Sequence, residues 1–123
     1  MNNKEIGTEF EQEMCETLNR QGYWVHFIVP DSRGAQPFDI IAVRAGEAIA
    51  IDCKTCVSET FNISRLEDNQ IMAFEKWLKC GNSIPLVMVK HKGVVYPIRY
   101  TDLRKHRSIN LKKYMLGGYE NED

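Results

Sequence analysis

The sequence predicts an α/β fold of the α+β kind, a mixed sheet with helices packed against it. Three observations lead there. Apolar residues recur at helical spacing in two separate segments, one near the N-terminus and one in the middle of the chain. Five short runs rich in β-branched and aromatic residues lie between and after them. The resulting order, α-β-β-β-α-β-β-α, lacks the regular alternation of a doubly wound parallel fold.

Each element has its own warrant. Residues 4–21 read as a helix because Ile6, Phe10, Met14 and Leu18 recur every fourth position, and Gly22 stops it. YWVHFIV (23–29) reads as a strand. PDSRGAQP (30–37) is a loop, with two prolines and a glycine. FDIIAV (38–43) and AIAIDC (48–53) form an antiparallel hairpin around Ala45-Gly46-Glu47. Residues 66–79 return to helical spacing through Leu66, Ile71, Phe74 and Leu78, and Gly81 closes that helix. IPLVMVK (84–90) and VVYPIRY (94–100) flank a turn at His91-Lys92-Gly93. Thr101 is placed to cap a short final helix.

A chain of 123 residues holds one domain, read here as residues 1–116, followed by an acidic tail GGYENED (117–123) expected to be disordered. Its 43 % apolar and 27 % charged residues exclude wholesale disorder and collagen-like repeats. No apolar run approaches the ~20 residues of a membrane helix, so no membrane partner is expected. The N-terminus is polar and acidic where a signal peptide is basic and then apolar, which predicts a cytoplasmic protein with Cys15, Cys53, Cys56 and Cys80 as reduced thiols. Cys53-x-x-Cys56 lacks a second pair at ligand spacing, and Cys53 reads as core. Trp24, Phe27, Phe74 and Trp77 read as core or interface aromatics.

The net charge of −1 is silent about partners, but its distribution is not. Residues 1–22 hold five glutamates against Lys4 and Arg20, whereas residues 90–113 hold eight Lys/Arg and one acid, Asp102. That split suggests a basic surface for a polyanion; a solvated face is the blander alternative.

The informative acids are those in unexpected places. On helix 4–21, Glu5, Glu9, Glu13 and Glu16 lie far from the apolar stripe, while Glu11 lies only about 60° from its centre. A carboxylate at the edge of a core face needs a partner, and a boundary ion pair would serve as well as a ligand. Asp39 and Asp52 interrupt adjacent strands, with Asp39 sharing a face with Ile41 and Val43. Alternation places Asp52 on the same face as Lys54, opposite Ile49, Ile51 and Cys53. Aspartate is a poor strand residue. Simple ion pairing is one explanation. The other is a hard divalent cation such as Mg²⁺, with the lysine orienting the attacking water or stabilising phosphate charge.

Pro37-Phe38-Asp39, followed after twelve residues by Asp52-Cys53-Lys54, resembles the PD-(D/E)xK nuclease motif. Gly7-Thr8-Glu9-Phe10-Glu11 is similar to the Gly-x-x-x-Glu start of the first helix in cellular and viral Holliday-junction resolvases of that superfamily, with Glu11 on their metal-site glutamate. Phe61-Asn62-Ile63 followed by Asn69-Gln70-Ile71 resembles the segment after the catalytic lysine in bacterial resolvases, where a helix carries a glutamine near the site. The resemblance to bacterial and archaeal resolvases covers roughly residues 4–106. It departs where Phe38 separates Pro37 from Asp39, and where Asp52 replaces the more frequent Glu. The long N-terminal arm and the stalk of the bacterial enzymes are missing or much shortened.

The resemblance implies a restriction-endonuclease-like core and a Mg²⁺-dependent endonuclease that hydrolyses phosphodiesters in branched DNA, with Mn²⁺ able to substitute. Glu11, Asp39, Asp52 and the backbone carbonyl of Cys53 would bind the metal. Lys54 would position the water, and Gln70 would assist. It further implies a homodimer, and the compact chain fits a virus-encoded member. The alternatives are a nuclease acting on flaps, nicks or ends, and a catalytically inactive DNA-binding module. Ser32, Arg33 and Gln36, in the loop before Asp39, are placed to contact phosphate, as are Lys90, Lys92, Arg104, Lys105 and Arg107.

Overall fold

The computed structural model describes residues 3–29 and 36–120, with side chains from residue 7 onward. Helix α1 (Asn3–Arg20) is followed by strands β1 (Trp24–Phe27), β2 (Ile40–Arg44), β3 (Glu47–Thr55) and β4 (Thr60–Asn62). A single 3₁₀ turn (Ile63–Arg65) leads into α2 (Asp68–Lys79). Strands β5 (Leu86–His91) and β6 (Val94–Arg99), helix α3 (Tyr100–His106), strand β7 (Ser108–Asn110) and helix α4 (Leu111–Met115) complete the order.

The main sheet runs β1-β2-β3-β5-β6. Neighbours are antiparallel except β3 and β5, which are parallel, with α2 as the crossover between them. The two hairpins turn on Ala45-Gly46 and Lys92-Gly93, all four with positive φ (53°, 77°, 48° and 78°). That backbone matches the twist of the paired strands, and glycine at the second position lowers its cost. Because β3 and β5 are parallel, their C-terminal ends lie side by side, Lys54 opposite Val89 and Thr55 opposite Lys90. In sheets with such a crossover, the carboxyl end of the strands is where a crevice opens.

Alternation along β3 sorts the layers. Ile51 and Cys53 join Ile40, Ala42 and Met88 beneath Phe10, Met14 and Leu18 of α1. Ala50 faces the other way, with Val87, Val89 and Ile98, against Phe74 of α2, Leu103 of α3 and Leu111 of α4. Asp52 shares that second orientation, fully buried in a strand with core on both faces. Cys53 and Cys56 belong to different clusters on opposite sides of the sheet, so this Cys-x-x-Cys pair does not converge.

The mixed sheet and the main helices are as the sequence predicts, and several details differ. Asp39 lies before β2 rather than within it, its side chain taking a strand amide that a longer β2 would have paired. Thr101 lies inside α3, whose N-cap is Arg99 with no side-chain cap bond. A second sheet, β4 with β7, and helix α4 had no sequence signal strong enough to predict them. Trp24 is 63 % exposed at the sheet edge, stacked on His26 with centroids 6.0 Å apart, so of the core and interface readings only the core one is excluded. Within the segment read as a tail, residues 117–120 turn back so that Tyr119 packs beside the core, its hydroxyl accepting the Asn110 N–H at 3.0 Å. Residues 121–123 lie outside the described residues.

Candidate active site

Four parts of the chain meet at the C-terminal end of β3. The strand supplies Asp52, Cys53 and Lys54; the segment before β2 supplies Gln36 and Asp39; the first turn of α2 supplies Asn69 and Gln70. Glu11 approaches from α1. One small cleft is lined by Glu11, Gln36, Asp39, Cys53, Lys54, Glu67 and Gln70. Glu11, Asp39, Lys54 and Gln70, distant in sequence, therefore share a cleft with the Cys53 backbone, and Asp52 lies directly beneath it, bonded to Gln70 and paired with Lys54.

Asp52 Oδ1 accepts from Gln70 Nε2 at 3.0 Å, while Gln70 Oε1 accepts the Glu67 N–H, also at 3.0 Å. The glutamine amide is thus held at one end by the start of its helix and at the other by Asp52 of β3. Asp52 Oδ2 is buried and has no hydrogen-bond partner. Lys54 Nζ lies 3.4 Å from it, a charge contact without hydrogen-bonding geometry. An unpaired buried carboxylate oxygen is expensive. Burial, with Asp39 close by, pushes the Asp52 carboxyl well above the ordinary range, and Lys54 only partly opposes this.

Asp39, 4 % exposed, is held differently. Its Oδ1 accepts from Gln36 Nε2 at 2.9 Å and its Oδ2 from the Cys53 backbone N–H at 2.8 Å. The backbone N–H of Asp39 donates to the Ile51 carbonyl at 3.1 Å, so Ile51 and Cys53 both turn their polar groups toward this segment. Where β2 has not yet begun, the aspartate side chain stands in for a strand partner. Glu11 is half-buried, and its carboxyl is pushed up to about 7 by burial first and Asp39 second, with Lys54 pulling the other way. The Cys53 thiol is likewise pushed up by burial and the neighbouring acids.

Three crowded carboxylates face one ammonium. All the available donors are oxygens, the set a hard divalent cation prefers. Among the described residues no three His, Cys, Asp or Glu side chains stand ready-made as a metal cage. Mg²⁺ does not require one, since it is ordinarily held by one or two carboxylates with water and phosphate filling the rest. The orphaned Asp52 oxygen and the donor chemistry fit such an ion.

The remaining predicted residues are dispersed. Ser32 and Arg33 lie outside the described residues. Gln36 turns inward to Asp39. Lys90 pairs with Glu13 of α1 at 2.8 Å, and Arg104 with Glu75 of α2 at 2.9 Å. Lys92 forms the exposed β5–β6 turn, and Arg107, also exposed, ends α3 in a left-handed conformation. Lys105 borders a separate pocket with Arg99, Asp102, His106, Tyr114, Tyr119 and Glu120 that mixes both signs of charge. Sequence reasoning assigned Glu67 no role, and Asn69 none beyond its place in the Asn69-Gln70-Ile71 resemblance; only the Glu67-x-x-Gln70 spacing ahead of an apolar helix hinted at the clamp.

The model of the archaeal Holliday junction resolvase (Hjc) family matches residues 2–117. The chain belongs to the Hjc family. A relative from Methanocaldococcus jannaschii, named crossover junction endodeoxyribonuclease Hjc, is 31 % identical over 70 residues, which cover 57 % of this chain and 50 % of the relative. The match thus spans half the length of that Hjc protein. The solved structure of Archaeoglobus fulgidus Hjc, described as a Holliday junction resolvase from an archaeal hyperthermophile, aligns with a TM-score of 0.66 at 17 % identity, covering 88 % of this chain and 89 % of that one. At that identity the likeness speaks for the Hjc fold alone, and the fold agrees with the one predicted from the sequence.

Proposed function

We propose that the chain is a Mg²⁺-dependent endonuclease that hydrolyses phosphodiesters in branched DNA, as a Holliday-junction resolvase. One observation carries the reading: Asp39, Asp52 and Lys54, with Glu11 opposite, gather where β3 ends, and the charge they gather is not balanced by protein alone. Membership of the Hjc family supports the substrate class.

Asp39, Asp52 and the Cys53 carbonyl would hold the cation, with Glu11 completing the negative charge around it. Bound there, the cation would polarise the scissile phosphate and lower the pKa of a water. Lys54, anchored electrostatically by Asp52, orients that water and stabilises charge developing on the phosphate oxygens. Gln70 holds the Asp52 carboxylate in one orientation, leaving its second oxygen beside Lys54 without a protein hydrogen bond. Mn²⁺, with similar oxygen preference, substitutes.

Cutting two strands of a four-way junction calls for two such sites, so the functional unit is a twofold homodimer. Exposed cations, Lys92 and Arg107 among them, meet phosphate, which reads shape rather than base sequence.

Cleavage of a synthetic four-way junction beside a flap, a fork, a nicked duplex and a plain duplex, in Mg²⁺, Mn²⁺ and EDTA, tests the proposal. Metal-dependent cutting of the junction that Lys54→Ala abolishes is expected. Preferential cutting of flaps, nicks or ends would move the substrate, and no cutting of any DNA in either metal would leave a DNA-binding module.

A further inference from the structure

The two aspartates of the cleft are positioned by one turn of helix. Gln70, the third residue of α2, donates to Asp52 at 3.0 Å. Its neighbour Asn69 donates through Nδ2 to the backbone carbonyl of Gln36 at 2.6 Å, a contact spanning 33 residues of sequence. Gln36 in turn donates through Nε2 to Asp39 Oδ1 at 2.9 Å. The other Asp39 oxygen is taken by the Cys53 amide at 2.8 Å. Nothing in the helical pattern requires asparagine at 69, and neither Asn69 nor Gln36 contributes to the apolar clusters.

We infer that Asn69 and Gln36 form a two-link relay that positions Asp39 for the cation, so that the first turn of α2 sets the spacing of both metal-facing aspartates. Both are positioning residues: neither needs to touch metal or substrate. Asn69 fixes the backbone of Gln36, and that fixes the direction from which the Gln36 amide meets Asp39. With a donor on each oxygen, the Asp39 carboxylate cannot rotate, and its remaining lone pairs face the cleft. Outer partners of this kind typically change metal affinity or activity by about 10–100-fold when removed. The inference also reassigns Gln36, which the sequence alone placed against DNA phosphate. It rests on the metal-dependent reading of the cleft.

The test measures Mn²⁺ binding by electron paramagnetic resonance on the full chain without DNA, alongside junction affinity in EDTA. Gln36→Ala and Asn69→Ala should each weaken Mn²⁺ binding, Gln36→Ala by about tenfold or more. The double variant should be no worse than Gln36→Ala, because the links act in series. Gln36→Glu, of the same size but presenting an acceptor to an acceptor, should fail as badly as alanine. Gln36→Met keeps the bulk if alanine unsettles the fold, and should also weaken Mn²⁺. Junction affinity in EDTA should be unchanged throughout. Unaltered Mn²⁺ affinity in Gln36→Ala, additive losses in the double variant, or no Mn²⁺ binding by the wild type would each overturn the relay, as would a loss of DNA affinity in EDTA, which would make Gln36 a phosphate contact. If the wild type binds Mn²⁺ through the relay yet cuts no DNA, the nuclease reading fails and the relay stands.

Discussion

Two carboxylates in this molecule, Glu75 and Asp52, put the same chemical group to opposite ends. On the outside of α2, Glu75 accepts the Tyr100 hydroxyl at 2.6 Å and Arg104 at 2.9 and 3.0 Å. Every strong contact is made, and the Glu75 carboxyl is held below its ordinary range, chiefly by the tyrosine. Burial first, and then the hydrogen bond to Glu75, push the Tyr100 hydroxyl up in turn. At the end of β3, Asp52 is buried completely with one oxygen unpartnered, and its carboxyl is pushed the other way. A satisfied cluster holds structure together; an unsatisfied one is kept because something else completes it.

The largest contrast should be in activity. Lys54→Ala and Asp39→Asn should each reduce junction cleavage by about a thousandfold or more while leaving DNA affinity in EDTA intact. Glu75→Gln should leave cleavage near wild type. Loss of activity in Glu75→Gln with wild-type stability would erase the distinction.

Stability should move in opposite directions. Asp52→Asn removes a buried, poorly compensated charge while keeping the shape and the acceptor for Gln70, and should stabilise the metal-free protein by about 1–3 kcal/mol. Glu75→Gln should destabilise it by no more than about 1 kcal/mol, as befits a partly exposed ion pair. Urea denaturation in EDTA measures both.

The pH dependence sharpens the same comparison. Glu11 has its carboxyl raised from 4.5 to about 7, so its contribution to metal-free stability is full below pH 4.5 and is lost as pH rises through 7. Glu75, lowered, contributes above its ordinary value of 4.5 and loses that as pH falls. Tm followed from pH 3 to 8 in EDTA should flatten on the alkaline limb in Glu11→Gln and on the acid limb in Glu75→Gln. Identical profiles would contradict the assigned environments.

The smallest expected effect concerns the basic helix. Every lysine or arginine withdrawn from a phosphate reduces the slope of log K against log [salt] by about 0.9. Arg104→Ala with Lys105→Ala and Arg107→Ala should flatten that slope, measured on a Lys54→Ala background in EDTA. Arg104 is already engaged by Glu75, so its share should be the least. An unchanged slope would place the DNA elsewhere.

What the sequence revealed, and what it hid, follows from the range of the interactions. Helical phase exposed Glu11 because an amphipathic pattern is local, and alternation alone put Asp52 beside Lys54. Strands of three residues, Thr60–Asn62 and Ser108–Asn110, carry no usable period, and their pairing depends on a partner far along the chain. Asn69 stayed hidden for the same reason: its partner is a backbone carbonyl, which any residue at 36 would supply. Asp39 was seen as an intrusion into a strand, but its role as a side-chain substitute for the strand's next residue needed the register.

The proposed divalent cation for phosphodiester cleavage belongs to the β3 cleft and not to Glu75. Single-turnover cutting of a four-way junction in Mg²⁺ by the wild type, Asp52→Asn and Glu75→Gln measures this most directly. The wild type and Glu75→Gln should cut at similar rates while Asp52→Asn, folded and bound to DNA, does not. Cutting by Asp52→Asn at the wild-type rate would contradict it.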